Sequence, residues 1–487
     1  MISYPKSFIQ LKSYLGIKSD ERYDRRDNGL NYQVNSTSLP FKLFDYNNQF
    51  QINLHGDEFK ERKDQDFSLQ YKTNRQFYKN TADSLIYQLG YSRRVYYISQ
   101  EGNLESRTER ENRFENWLNY QISDHITWNL FTQIFNRTGS VDQIIEKNPT
   151  GTRKRNDTGM DWESYLRWKS KRVISSIGWT YTNKNQKFQT SKSILPSPSI
   201  GSIGIPDNKS KTTSIHATSS FLFSKKDSLS VKFLISKFQY DTPDSNNFDD
   251  RDELRTTAIL GYSHFFSPSL QMGLEAKVNF HHLVYIFNER SVNNNWNRIF
   301  QLSNSIRYRP SPNFRWYQYT DVFANYTSYD FEEMQSQVRS FVYRKFSLTD
   351  SLAIGTPNQI QFSLFHRLEF EENGRLFWND FSEQQLMNRQ NHYLTMGFQF
   401  PLIGNLFMFN GISAYLRREW RYKPTILGQT IREKWGDFIS FGPQIKLFLI
   451  NLKKHNAFVS LARFKVEPPN GPEYFINQID LNAFWNF

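Results

Sequence analysis

Cysteine is absent from the 487 residues, which excludes disulfides, thiolate metal sites and cysteine nucleophiles. Hydrophobic residues are scarce, at 38% of the chain, and the mean hydropathy is −0.69. No run of about eighteen apolar residues occurs, so the sequence encodes no transmembrane helix. This composition fits poorly with the two or three soluble domains that a chain of this length could otherwise form.

Aromatic residues, in contrast, make up 17% of the chain. Disordered chains are poor in aromatics, so the low hydropathy does not indicate disorder. A wide membrane β-barrel reconciles the two observations, because only its outer face must be apolar and its lumen can stay wet. The segment 1–6 has no apolar stretch and no small-residue cleavage site, so we expect that a leader or a longer upstream region precedes the exported chain.

The clearest secondary-structure pattern lies at the C-terminal end. Over 475–487 the odd positions are mostly apolar and the even positions mostly polar. The same alternation recurs at 272–280, 360–364, 394–400 and 439–447. A period of two indicates β-strands with one apolar face, and more than ten such residues are enough to cross a bilayer at a tilt.

The connections between these segments alternate between short and long, which is typical of outer-membrane barrels with short periplasmic turns and long extracellular loops. Short turns are predicted at 123–125, 169–172, 225–228, 267–269, 310–313 and 402–405. Long polar loops are predicted at 99–111, 137–160, 184–211, 241–253, 371–390 and 423–436.

Following the strand phase backwards from Phe487 gives about twenty strands from residue 43 onward, and two further candidates lie at 7–18 and 30–37. The sequence therefore predicts an all-β fold with a single transmembrane antiparallel β-barrel of about 22 strands, with 20 as the alternative. We find no repeat or linker, so one outer-membrane β-barrel domain is expected to span 1–487.

The chain resembles bacterial outer-membrane β-barrel proteins of the porin-like type through its hairpin rhythm and its last segment, 480–487, which ends in phenylalanine. The resemblance implies that Trp485 and Phe487 form a signal read by the barrel-assembly machinery. The strand number is also that of TonB-dependent transporter barrels, but the sequence shows no plug domain and no TonB-box segment. We therefore expect a lumen that is open, filled by the chain's own loops or occupied by a partner chain.

Charged residues on the polar phase of the strands are the candidate functional residues. An excess of Lys and Arg among them would favour anions in a pore. The alternative is that these charges pair across strands, with Glu275, Asp321 and Glu369 as the available acids. The residues predicted to line the lumen are Glu275, Lys277, His281, Arg307, Arg309, Arg315, Asp321, Arg339, Lys345, Arg367, Glu369, Arg417 and Lys446.

Enzyme motifs are scarce, and we predict no catalytic residues, no metal site and no cofactor. Adjacent His281 and His282 point to opposite faces of a strand and cannot share a metal ion. The formal net charge of +13 is spread over loops that mix acids and bases, which indicates solvated surface and contacts with anionic lipid or lipopolysaccharide, not nucleic acid.

These observations predict a porin-like channel in the bacterial outer membrane that passes small polar or anionic solutes passively. One alternative is a barrel scaffold that sheathes or anchors a partner protein, in its lumen or at its periplasmic face, within a secretion, uptake or electron-transfer complex. A second alternative is an outer-membrane hydrolase, which would need His, Asp and Ser to converge near one rim. The favoured prediction is therefore a transport protein without enzymatic activity.

Overall fold

The computed structural model is all-β and antiparallel. Its description covers residues 8–22, 25–78, 81–98, 103–145, 148–190, 207–243, 247–334, 339–356, 359–380, 382–424, 430–451, 455–468 and 471–485. Only a four-residue α-helix, α1 (Asn288–Ser291), and a 3-10 turn, Glu332–Met334, interrupt the strands in these ranges. No helix within them is long and apolar enough to cross a membrane.

The described ranges contain 23 strands. They are β1 (Ile9–Arg22), β2 (Arg25–Ser38), β3 (Phe41–Leu43), β4 (Tyr46–Phe59), β5 (Lys63–Tyr78), β6 (Thr81–Tyr97), β7 (Leu104–Gln121), β8 (Ile126–Ile145), β9 (Asn148–Lys169), β10 (Val173–Thr190), β11 (Asn208–Leu222), β12 (Asp227–Asp241), β13 (Arg251–Ser267), β14 (Leu270–Tyr285), β15 (Asn295–Ser311), β16 (Phe314–Tyr329), β17 (Phe341–Gly355), β18 (Gln361–Phe377), β19 (Ser382–Ile403), β20 (Leu406–Pro424), β21 (Thr430–Asn451), β22 (His455–Glu467) and β23 (Tyr474–Trp485).

The chain divides into two compact units. Unit 1 comprises Met1–Ala217, Leu234–Leu254 and Val284–Arg290. In this unit β1 pairs with β2, and β2 pairs with β4. Each strand from β4 to β9 then pairs with the next one in the chain, so that the series ends at β10. The two strand candidates at 7–18 and 30–37 are confirmed as β1 and β2, and the three-residue β3, which pairs with the start of β4, brings the count above 22.

Unit 2 comprises Thr218–Phe233, Arg255–Leu283 and Ser291–Phe487. Each strand from β14 to β22 pairs antiparallel with the next one in the chain. The all-β antiparallel part of the fold prediction is thus confirmed. Closure into a membrane barrel and the single domain over 1–487 stay predictions.

All six predicted short turns lie between strands, and four or fewer residues separate the strands at each. Four of the predicted long loops are mostly strand, so these predictions are wrong. Residues 104–111 belong to β7, the described residues of 137–160 to β8 and β9, 371–390 to β18 and β19 except for the connection between those strands, and the described residues of 423–436 to β20 and β21. Polar side chains there alternate along paired strands whose backbone groups bond to each other, so polarity alone did not mark a loop.

Burial in this protein is the reverse of that in a soluble domain. Among the described residues, eight hydrophobic side chains and twenty-two polar or charged ones are buried. Large apolar side chains are instead exposed, including Ile134 at 50%, Leu302 at 47% and Phe441 at 48%. Soluble proteins bury Ile, Val, Leu and Phe and leave Asp, Glu and Arg outside, so these strands are not built around a hydrophobic core.

The register explains this reversal in unit 1. Ile134 of β8 lies opposite Phe114 of β7 and Met160 of β9, so these apolar side chains share one face. Three residues further along, Arg137 lies opposite Glu111 of β7 and Asp157 of β9, and these charged side chains share the other face. Alternation therefore gives the sheet of unit 1 an apolar exposed face and a polar face.

Unit 2 is divided in the same way. Leu302 of β15 lies opposite Ala276 of β14 and Val322 of β16, whereas the adjacent Ser303 lies opposite Glu275 and Asp321. We call these the apolar face and the polar face of unit 2.

Arg62, in the connection between β4 and β5, joins the first hairpin to the rest of unit 1. Its guanidinium donates from Nη1 to Asp20 Oδ2 at 2.5 Å and from Nε to Asp27 Oδ2 at 2.8 Å. It also lies over the rings of Phe59 and Tyr97, at 4.6 and 5.5 Å. Burial lowers the pKa of Arg62, but the hydrogen bonds to Asp20 and Asp27 outweigh it and the pKa is raised.

We predict that Arg62→Ala lowers the free energy of unfolding by about 3 kcal/mol, because removing one member of a buried ion pair leaves its partners without a counter-charge. Urea unfolding of the refolded protein in detergent micelles measures this change. Arg62→Lys keeps the charge but loses the paired donors of the guanidinium. Its free energy of unfolding should therefore lie between those of Arg62→Ala and the unchanged protein. Equal stability of Arg62→Ala and the unchanged protein would contradict the assignment.

Candidate functional site

Most residues predicted to line a lumen share the polar face of unit 2. Register and alternation place Glu275, Lys277, His281, Arg307, Arg315, Asp321, Lys345, Arg367, Glu369, Arg417 and Lys446 there. Arg309 lies at the turn end of β15, next to a register shift, and Arg339 precedes β17. That this face lines a lumen stays a prediction.

Four adjacent strands concentrate charge on the polar face. The acid–base cluster consists of Lys345 on β17, Arg367, Glu369 and Glu371 on β18, Arg389 on β19, and Arg417, Glu419 and Arg421 on β20. Its members come together because the register sets opposite charges across from each other, as with Glu371 and Arg389 or Arg389 and Glu419.

Glu369 is one anchor of this cluster. Its carboxylate lies 2.7 Å from Lys345 Nζ and 2.5 Å from Arg367 Nη2, and its side chain is only 6% exposed. Asn391 Nδ2, opposite it in the register, donates to Glu371 Oε1 at 3.1 Å. Two cations therefore bracket one buried carboxylate, which offsets the cost of removing its charge from water.

Glu419 is the second anchor. Its carboxylate oxygens lie 3.1 Å from Arg417 Nη2, 3.3 Å from Arg389 Nη2 and 3.3 Å from Arg421 Nε. The whole cluster holds five cations and three carboxylates, so it keeps an excess of positive charge after every carboxylate is paired. Cross-strand pairing of the lumen charges, the alternative weighed from the sequence, is observed at Glu369 but does not neutralise the face.

A cavity of about 310 Å³ adjoins the cluster on the side of the β19–β20 turn. Arg367 belongs to both, and Asn391 connects them by accepting a hydrogen bond from Tyr415 at 3.2 Å. The rings of Tyr393 and Tyr415 stack with their centroids 4.6 Å apart. The cavity is lined by Phe365, Arg367, Tyr393, Leu394, Thr395, Ser413, Ala414, Tyr415, Ser440 and Phe464.

This wall composition defines what the cavity can bind. A guanidinium offers paired donors to a carboxylate, phosphate or other planar anion. Stacked tyrosines offer flat apolar area, and the hydroxyls of Thr395 and Ser413, 3.0 Å apart, can exchange their mutual hydrogen bond for one to a ligand. Small anions fit this chemistry when their carboxylate or phosphate groups can meet the guanidinium and their apolar parts can lie against the tyrosine rings.

Half of the cluster was not among the residues predicted from the sequence. Glu371 and Arg389 fall in the segment 371–390 that was assigned to a loop, and Glu419 and Arg421 continue the phase of Arg417. The alternation Arg417, Glu419, Arg421 could have identified the last two. Their pairing could not have been identified, because register is fixed by tertiary structure.

A hydrolase site of the kind weighed from the sequence is not formed at the β11–β12 turn. Ser224, Asp227 and His264 do converge there, with His264 Nδ1 2.6 Å from Asp227 Oδ1. However, Ser224 Oγ donates to Asp227 Oδ2 at 2.6 Å and not to the imidazole. The serine therefore lacks the adjacent base that would activate it as a nucleophile.

The predicted assembly signal lies at the end of the described chain. Trp485 is the last residue of β23, and Phe487 lies outside the described residues. Its role stays a prediction.

Comparisons with known proteins give matches only among solved structures. No family model and no curated protein matches the sequence. Solved structures that match include the alcaligin outer membrane receptor FauA from Bordetella pertussis (9% identity, 98% of this chain and 76% of that chain, TM-score 0.45). Others are the ferric preacinetobactin receptor BauA from Acinetobacter baumannii (8%, 98% and 79%, 0.44) and the iron transporter FrpB from Neisseria meningitidis (8%, 98% and 82%, 0.43).

The matched structures are bacterial outer-membrane proteins, in agreement with the predicted resemblance and the predicted location. The passive porin-like channel is wrong, because the matched structures are receptors and transporters for siderophores, iron and copper, and the scaffold and hydrolase alternatives fit no better. In addition, the described residues of 137–160, which were predicted to form a long loop, are paired strand. At these low identities and TM-scores, the similarity does not define what this chain binds.

We predict that Glu369→Gln lowers the free energy of unfolding by about 3 kcal/mol, because it leaves Lys345 and Arg367 without their shared counter-charge. Glu372 is the matched control, since it lies on the same strand but the opposite face and its pair with Arg344 spans 3.7 Å with 39% of the side chain exposed. Glu372→Gln should cost less than about 1 kcal/mol. Urea unfolding in micelles compares the two, and equal losses would contradict a cluster anchored on Glu369.

Proposed function

We propose that the chain is an outer-membrane receptor whose strands close into a membrane barrel and whose acid–base cluster and adjoining cavity recognise an anionic small molecule for uptake. The observation that carries this proposal is the excess of cations around buried Glu369 and Glu419, next to a cavity that contains Arg367.

Two features of the strands support the membrane part of the proposal. In each unit the large apolar side chains are exposed on one face of the sheet, and the buried side chains are mostly polar. Strands of 20 to 22 residues, such as β8 and β9, also exceed the roughly 9–11 residues that a bilayer crossing requires. Their polar continuations, 137–145 and 148–157, would then project beyond the membrane as a paired hairpin.

The arrangement along the strands supports the direction of uptake. The cluster lies on the side of the β18–β19 connection, and the cavity lies nearer the short β19–β20 turn. In a barrel with short turns in the periplasm, a ligand arriving from outside would meet the cationic cluster first and the Tyr393–Tyr415 stack next. Positive charge would draw an anion in, and aromatic contact and Arg367 would hold it.

Chelates of iron with several carboxylates, such as ferric citrate, belong to the ligand class that this site would accept. The other partners expected from the sequence are part of the same proposal: outer-membrane lipid and lipopolysaccharide at the apolar faces, and the barrel-assembly machinery during biogenesis. No enzymatic step is included.

We predict that the purified protein in detergent binds ferric citrate and that Arg367→Gln weakens this binding about tenfold or more, because a hydrogen bond to a charged group contributes roughly 1.5–3 kcal/mol. Isothermal titration calorimetry measures the affinity, which should also fall as salt rises. Arg315→Gln, on the same polar face but outside the cavity, is the matched control and should bind normally. Equal weakening in both variants, or tighter binding of a neutral sugar of similar size, would contradict recognition at this cavity.

The membrane part has its own prediction. Ile134→Arg should lower stability in lipid bilayers by about 2 kcal/mol, because a cation on the lipid face costs about 2–4 kcal/mol at the midplane and less towards the interface. The adjacent Gln133→Arg places the same residue on the polar face, opposite Asp161, and should cost less than about 1 kcal/mol. Unfolding from vesicles by guanidinium measures both, and similar losses would show that the apolar face is not in lipid.

A further inference from the structure

A row of polar side chains crosses the apolar face of unit 2. It consists of Gln318 on β16, Asp350 on β17, His366 on β18, and His392 and Gln390 on β19, and we call it the polar row. Leu348 and Leu352 flank Asp350 on the same face of β17, and Leu364 and Leu368 flank His366 on β18. The row is therefore set within apolar surface.

The side chains of the row interact along its length. Gln318 Nε2 donates to Asp350 Oδ1 at 3.1 Å, and Asp350 lies directly opposite His366 in the register. The imidazoles of His366 and His392 lie 6.0 Å apart and are inclined by 25°. Gln390 Nε2 and His392 Nε2 lie 2.7 Å apart. The row thus places donors and acceptors side by side over four strands.

Unit 1 shows how unusual this row is. On the apolar face of β8, β9 and β10, the side chains between Leu130 and Ile134, Met160 and Leu166, and Ile177 and Tyr181 include no Asp, Glu, His, Lys or Arg. Ionisable groups on a lipid-facing surface are costly and rare, and those that persist are paired or functional. Among the described residues, Asp350 has no Lys or Arg within ion-pair distance to offset its charge.

We infer that the polar row is a docking surface for a second copy of this chain within the membrane. The inference rests on the proposed function, which places the apolar face in lipid. The row carries an acid, Asp350, beside two imidazoles, so it is complementary to itself: a two-fold axis through the face would set Asp350 of each copy against His366 and His392 of the other. A closed dimer interface needs this self-complementarity, and a partner surface of a single charge sign would not match it.

The chain has no cysteine, so single introduced cysteines report on this interface without background. Leu368 is suited to this because it lies between His366 and Phe370 and opposite Leu348 and His392, but is not part of the row. Oxidation of Leu368→Cys in native outer membranes should give a disulfide-linked dimer of this chain. Met160→Cys, on the apolar face of unit 1, is the control and should stay monomeric.

Removing the row should remove the dimer. We expect cross-linking of Leu368→Cys to fall about tenfold when Asp350→Leu and His366→Leu are added. The reason is that these changes remove hydrogen bonds to a charged group across the interface. Cross-linking that persists in this variant, or that joins Leu368→Cys to a different protein, would overturn the inference.

Labelling separates this inference from the proposed function. Both introduced cysteines should react with a lipid-soluble maleimide and not with a membrane-impermeant one. Lipid-soluble labelling without dimers would overturn the docking surface and leave the receptor in place. Labelling of both by the impermeant reagent would overturn the lipid-facing assignment and the docking surface with it.

Discussion

Backbone hydrogen bonding is the constraint on which this structure depends. A membrane offers no water to backbone amides and carbonyls, so strands that cross one must satisfy these groups by pairing with neighbouring strands. Here the antiparallel ladders run through whole strands, for example from Leu104 to Gln121 against β8, and leave the side chains free to differ on the two faces. Because one face of each sheet can be apolar and the other polar, the chain combines a low mean hydropathy with many aromatic residues. The same division explains why polar side chains are buried and apolar ones exposed.

Buried charged residues need partners of opposite charge, and the acid–base cluster supplies them. Buried carboxylates such as Glu369 and Glu419 are stable only where several donors surround them, and the register supplies Lys and Arg from the neighbouring strands. Since five cations surround three carboxylates, the same contacts that stabilise the sheet leave a positive surface. Sheet stability and the proposed ligand recognition therefore share residues, and Arg367 belongs to both.

Much of the fold could be predicted because period-two alternation and turn residues are local properties. The turns, the terminal strand and the shared face of Lys345, Arg367 and Arg417 were accessible in this way. The hairpin extensions at 137–160 and 371–390 were not, because paired polar strands resemble loops in composition. The candidate site was predicted only in part, since Glu371 and Glu419 acquire their roles from the register. The sequence could not separate a passive channel from a receptor, because both can carry charged residues on the polar phase of their strands.

The central claim is that one face of each sheet meets lipid and the other an aqueous interior. A cysteine scan of β18 from Phe362 to Phe370, in the cysteine-free chain within native membranes, tests it most directly. We predict that odd positions react with a small water-soluble maleimide and even positions only with a lipid-soluble one, with a period of two. Uniform reaction of both sets with the water-soluble reagent would contradict the claim.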